Sequence, residues 1–211
     1  VTSTVPNFQN TLHSRARLTT TPNQFPNGCK SSTLGIASTT AIFLGRTKTG
    51  QYIGAGLDFN GALHIGTLDS AKGTVSQSGA KVTSVPNPSS LATADLNGDG
   101  NNDLIVVDSA NTQTGDAGGI YVFMGSGDGT FRTPVSYPAG SSPAAVTIED
   151  LNHDGKLDLI VAGFQYPPQP VLTNGVSVLL GNGDGTFRAA VSSPSRGSLS
   201  IAAGDFDGDG N

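Results

Sequence analysis

Three stretches of this chain repeat one another: "DLNGDGNND" from Asp95, "DLNHDGKLD" from Asp150 and "DFDGDGN" from Asp205, with first aspartates 55 residues apart. A second pattern keeps step with them. "VFMGSGDGTF" (122–131) returns as "VLLGNGDGTF" (178–187), 56 residues on. A period of this size means that each unit is one supersecondary structure, which buries its apolar faces only by stacking on its neighbours.

Inside a unit the apolar runs are short and β-type. In 143–187 they read "AAVTI", the Asp loop, "LDLIVAG", a Pro-rich loop, "VSVLL", the turn "GNGDG" and "TFRAAV". That predicts four strands of about five residues, with no helical periodicity. "GDGT" between apolar runs predicts a tight hairpin, since Gly supplies the positive φ values such turns need. A repeated four-stranded antiparallel unit of this length points to an all-β fold, a β-propeller built of such blades.

The rest of the chain divides around that repeat. Residues 1–38 are rich in Ser, Thr, Asn and Pro and read as a linker or lead-in. Residues 39–85 read as a blade with strands near 40–45, 51–57, 62–68 and 74–82. There "RTKTG" occupies the slot of the Asp loop. Blades 86–142 and 143–198 carry Asp loops, and 199–211 begins a fourth. The sequence stops at Asn211, inside the third loop, so a partial ring of about three blades plus the start of a fourth is expected.

Counting from Asp95 as position 1, oxygen-bearing side chains fall at positions 1, 3, 5 and 9: Asp95, Asn97, Asp99 and Asp103. The second copy supplies Asp150, Asn152, Asp154 and Asp158. The third supplies Asp205, Asp207 and Asp209. Position 6 is Gly100, Gly155 and Gly210. Alternate oxygens around a glycine turn suit a hard cation, and calcium takes six to eight oxygens at about 2.3–2.6 Å. The backbone carbonyl of position 7 (Asn101, Lys156 or Asn211) completes the expected set. An EF-hand would need a bidentate Glu at position 12 and flanking helices. Position 12 here is Val106 or Val161, inside an apolar run. Magnesium, which prefers a tight octahedral shell rich in water, suits the loop less well. The alternative without chemistry is a set of Asx-rich turns that bind nothing.

Charge agrees with a local role for these loops. Of 16 acidic residues only Glu149 is glutamate, and nine of the 15 aspartates lie in the three loops. The other seven acidic residues are outnumbered by 11 Lys and Arg. The net charge of −5 is therefore a property of three turns, not a solvating surface. No basic cluster suggests nucleic acid. No run of 18 apolar residues would span a membrane as a helix. The single cysteine, Cys29, cannot form an intrachain disulfide. The chain opens on Val1 without a charged and then apolar leader, so a secretion signal is read as absent or removed.

"DLNGDGNNDLIVVD", "DLNHDGKLDLIVAG" and "VSVLLGNGDGTFRAAV" resemble the FG-GAP/VCBS repeats of integrin-α-type β-propellers. The resemblance covers 85–211, and 40–85 more weakly. It implies blades in a ring, with calcium held in the loop between the first two strands of a blade, at positions matching 1, 3, 5, 7 and 9 here. It also implies an extracellular setting, secreted or at the cell surface. Members of the family include adhesion receptors, lectins and propellers attached to polysaccharide-degrading enzymes.

Nothing catalytic is expected of this chain by itself. His13, His64 and His153 are scattered, and no nucleophile elbow, His-Glu-x-x-His or Cys/His cluster occurs. Glu149 and Asp150 are adjacent on a strand and point to opposite faces. "GSGDGT" and "GNGDGT" are not phosphate loops, because no helix follows. Phe131 and Phe187 read as packing between blades. Tyr121, Tyr137 and Tyr166, in or near the longer loops, are candidates for stacking on a sugar. The expected function is a calcium-binding extracellular module for adhesion or protein interaction. Its alternatives are a carbohydrate-binding propeller and a companion of an enzyme whose catalytic residues lie elsewhere.

Overall fold

The computed structural model describes residues 38–46, 51–58, 63–69, 74–77, 85–109, 118–140, 142–163, 175–194 and 200–204. Every regular element among them is a strand. The first sheet holds β1 (Ser38–Arg46), β2 (Tyr52–Asp58), β3 (Leu63–Asp69) and β4 (Thr74–Gln77). The second holds β5 (Pro88–Ala94), β6 (Asp103–Asp108), β7 (Gly119–Phe123) and β8 (Val135–Tyr137). The third holds β9 (Pro143–Glu149), β10 (Asp158–Gly163), β11 (Gly175–Leu179) and β12 (Val191–Pro194). Each sheet is a four-stranded antiparallel meander in chain order.

The innermost strands of successive sheets are neighbours: β1 lies beside β5, and β5 beside β9. The second strands explain why the sheets stack this way. β6 (DLIVVD) is buried along its whole length. Its side chains alternate between two faces, and both faces are apolar. Leu104 and Val106 join Ile53, Ala55, Leu63 and Ile65 of the first sheet in one core. Ile105 and Val107 join Leu159, Val161 and Leu179 of the third sheet in another. Each such side chain, fully buried, contributes roughly 1.5–3 kcal/mol. The cores therefore lie between sheets. The chain is an all-β partial propeller whose sheets are its blades.

The turn after the third strand of a sheet presses on the preceding sheet. A Cβ on Gly129 would stand 2.8 Å from Thr67 Cγ2, and one on Gly185 would overlap Met124. The ring of Phe187 meets Tyr137 of the preceding sheet edge-on, with centroids 5.6 Å apart. Phe131 packs edge-on against Phe123 of its own sheet at 6.5 Å and borders the first inter-sheet core.

The fourth strand differs from expectation. "TFRAAV" (186–191) was expected to pair directly after the turn. Instead Phe187 makes a single bridge to Gly181, and β12 begins only at Val191. Phe131 and Gly125 do the same in the second sheet. The GDGT turn closes through Ser126 N to Thr130 O (3.0 Å) and Asn182 N to Thr186 O (2.9 Å). Packing of the phenylalanine between sheets interrupts the ladder before the outer strand resumes. In the first unit the last strand ends at Gln77, and 78–84 lie outside the described residues.

One asymmetry follows from stacking. Leu96, at position 2 of the first Asp loop, is 4% exposed in the core shared with the third sheet. Its counterpart Leu151 is 40% exposed. The far face of the third sheet carries Ile160, Ala162, Val176 and Val178, of which both valines are only half-buried.

Candidate metal centre

Both described Asp loops join the first strand of a sheet to the second, and the backbone N–H contacts to positions 1, 3 and 5 match atom for atom. In the first, Asp99 N donates to Asp95 Oδ1 (3.1 Å) and Asn97 Oδ1 (3.0 Å), and Gly100 N donates to Asp95 Oδ2 (2.8 Å). In the second, Asp154 N donates to Asp150 Oδ1 (3.1 Å) and Asn152 Oδ1 (3.0 Å), and Gly155 N to Asp150 Oδ2 (2.8 Å). Position 5 accepts from position 7 in both: Asn101 N to Asp99 Oδ1 at 2.8 Å, and Lys156 N to Asp154 Oδ1 at 3.0 Å. Gly100 and Gly155 make the reversal at φ +82° and +84°, a region that costs an L-residue. Position 4 is also left-handed, as Gly98 (φ +72°) in one loop and as the exposed His153 (φ +55°) in the other.

Position 9 does something the spacing did not reveal. Asp103 and Asp158 are 0% exposed. Asp103 Oδ2 accepts from Leu96 N (3.0 Å) and its Oδ1 from Gly125 N (2.7 Å). Asp158 accepts likewise from Leu151 N (3.0 Å) and Gly181 N (2.8 Å). Each carboxylate thus ties its own loop to the exit of the third strand, 22 or 23 residues further on. Gly125 and Gly181 are glycines because a Cβ there would collide with the carbonyl of Asn102 or Leu157. The signal was present, since the first Gly of "GSGDGT" and "GNGDGT" recurs in step with the loops. Its partner could not be read from the chain.

Electrostatics divides the loop in two. The Asn101 N–H, then the Asn97 amide, holds the Asp99 carboxyl below the usual carboxylate range. Burial pushes Asp103 above it, and the charges of Asp99 and Asp95 add to the effect. Burial is also the largest single influence on Asp154 and pushes it up. The Lys156 N–H and ammonium outweigh that, so Asp154 lies below the usual range. Lys156 Nζ stands 3.4 Å from Asp154 Oδ2.

These residues fit a hard cation in donor chemistry. Positions 1 and 3 turn their Oδ1 atoms to one shared N–H, so the two oxygens face the same point. A carboxylate oxygen has two acceptor directions, so each one hydrogen-bonded to an N–H keeps a second. The loops as they stand are nonetheless closed by N–H groups. Among the described residues, no group of three or more His, Cys, Asp or Glu side chains converges at metal-ligand distance. Asp205, Asp207, Asp209 and Asn211 lie outside the described residues.

A model of the FG-GAP-like repeat matches residues 95–161 and 171–211, just over half the chain. The chain belongs to the FG-GAP-like repeat family. The matched span opens at Asp95, the first residue of the first loop, and takes in the strands that follow each loop. No curated protein matches the chain.

The remaining candidates sit as follows. His64 lies half-buried on β3, opposite Gly56 of β2. Tyr121 is on β7 and Tyr137 on β8, not in loops, and both pack against the inter-sheet cores. Tyr166, His13 and Cys29 fall outside the described residues. No helix among the described residues is long and apolar enough to cross a membrane.

Proposed function

We propose that this FG-GAP-like propeller is a calcium-stabilised module that presents a rigid surface to a protein partner outside the cell, and that it is not itself catalytic. One observation carries the calcium part. Two loops 55 residues apart reproduce the same oxygens, the same N–H partners and the same glycine reversal, each closed by a fully buried position-9 carboxylate. Side-chain oxygens at positions 1, 3, 5 and 9, with the position-7 carbonyl, are the ligands. The ion would supply two positive charges to a loop that carries three carboxylates. It would fasten the first strand of a blade to the second, and through position 9 to the third.

Interaction rather than catalysis follows from the family. FG-GAP repeats serve generally as interaction modules. The carbohydrate-binding alternative gains no support from Tyr121 and Tyr137, whose rings are engaged between blades. Calorimetry with calcium and with magnesium on the whole chain tests the metal. Binding in the range of extracellular modules, about 10⁻⁴ to 10⁻³ M, is expected. No heat up to ten millimolar calcium would return the loops to plain Asx turns. For the partner, a glycan array should stay blank; specific sugar binding would replace protein interaction with a lectin role.

A further inference from the structure

The two loops match at positions 1, 3, 5, 6 and 9 but part at position 7, and this difference predicts unequal sites. In the first loop position 7 is Asn101, whose neutral amide donates to Asp99 Oδ1 at 2.9 Å. In the second it is Lys156, whose ammonium lies 3.4 Å from Asp154 Oδ2. The ammonium is not free to drift far. Its stem lies along Gly183: a Cβ there would stand 3.0 Å from Lys156 Cδ, 3.1 Å from Cγ and 3.4 Å from Cε. Gly183 (φ +83°) and its counterpart Gly127 (φ +75°) both belong to the turn after the third strand. A Cβ on Gly127 would strike Asn101 in the same way. The turn thus holds the position-7 side chain over the loop in both blades. Only in the third sheet is that side chain a cation.

We infer that Lys156 is a tethered counter-ion that makes loop 150–158 the weaker of two calcium sites. The inference rests on the calcium reading above. With Lys156 counted, the second loop brings a formal charge of −2 to an arriving cation, and the first brings −3. Arg132, with Arg188 at the matching position of the next unit, acts on its loop only as the smallest influence on Asp99, whereas the Lys156 ammonium is a larger influence on Asp154 and stands 3.4 Å from it. A single positive charge about 5 Å from a divalent ion, in surroundings close to water, weakens binding on the order of tenfold. Between calcium loads the ammonium partly compensates Asp154.

Position 6 offers a separate reporter for each loop, because Gly100 N and Gly155 N each donate to the position-1 aspartate. Their amide resonances can be followed by NMR while calcium is added to the full chain. The Gly100 signal should reach its midpoint at about a tenfold lower calcium concentration than Gly155. Lys156→Asn should bring the Gly155 midpoint down to that of Gly100, and Lys156→Arg should leave it in place. Asn101→Lys should raise the Gly100 midpoint. Coincident midpoints in the unaltered chain overturn the inference. So does a Gly155 midpoint unmoved by Lys156→Asn while both loops still titrate, and in either case the calcium reading stands. If neither glycine responds up to ten millimolar calcium, the calcium reading fails and the inference with it.

Discussion

Loop 95–103 differs from loop 150–158 in its side chains, although their backbones are alike. The first has glycine at its left-handed position 4 and a neutral Asn101. The second has His153 in the left-handed conformation and the Lys156–Asp154 pair. Yet the position-9 aspartate makes the same two buried hydrogen bonds in each. The shared parts fix the shape of the loop. The differing parts set its charge. Shape is thus carried by oxygens, N–H groups and glycines, and the loop's charge is left free to vary.

The largest effects should come from the shared position 9. Asp103→Ala and Asp158→Ala each strip two buried N–H groups of their acceptor, which costs about 1–3 kcal/mol per group. Urea unfolding should show a loss of roughly 2–5 kcal/mol for either one. A much smaller loss in Asp158→Ala would mean that the second loop is held by something else. Close behind are Gly125→Ala and Gly181→Ala. Each should destabilise by a few kcal/mol, about the cost of overpacking a close contact, because the carbonyl it meets is backbone and cannot step aside. Equal losses in the two blades support equivalence of the ties.

Acid should separate two positions of one loop. The folded pKa of Asp99 is depressed, so its contribution is present above the unfolded value of about 3.9 and is lost as pH falls through the folded value. The folded pKa of Asp103 is raised, so its protonation favours the folded state, and its contribution grows as pH falls toward the unfolded value. In chelator, Asp99→Asn should flatten the acid side of the stability curve. Calcium should suppress the Asp103 effect by favouring its ionised form. The same slope in chelator and in calcium would contradict a metal beside Asp103. The smallest change is His153→Gly, which relieves a left-handed non-glycine residue and should raise stability by at most about 1 kcal/mol.

Much of this was legible in the chain. The period of "DLNGDGNND" and "DLNHDGKLD", the continuous apolar runs of β6 and β10, and the turn glycines all encode local geometry, and the strands fall where they point. The rest depends on which residues meet across blades. Nothing near Asp103 in sequence names Gly125 as its partner. Tyr121 and Tyr137 look like loop residues until stacking draws them inward. The outer strand starts at Val191 because Phe187 is first claimed by Tyr137 of the preceding blade. Such contacts form over tens of residues, where neither periodicity nor spacing carries a signal.

The central claim is that calcium fastens the blades through these loops. Thermal unfolding of the whole chain in chelator and in millimolar calcium tests it most directly, beside a chain carrying Asp95→Ala and Asp150→Ala together. Ten times the Kd stabilises each site by about 1.4 kcal/mol. At roughly 2–4 °C per kcal/mol for a chain of this size, the melting temperature should rise by several degrees. The doubly substituted chain should lose most of that rise. A melt that is the same with and without calcium, in a chain that also takes up none by calorimetry, contradicts the claim.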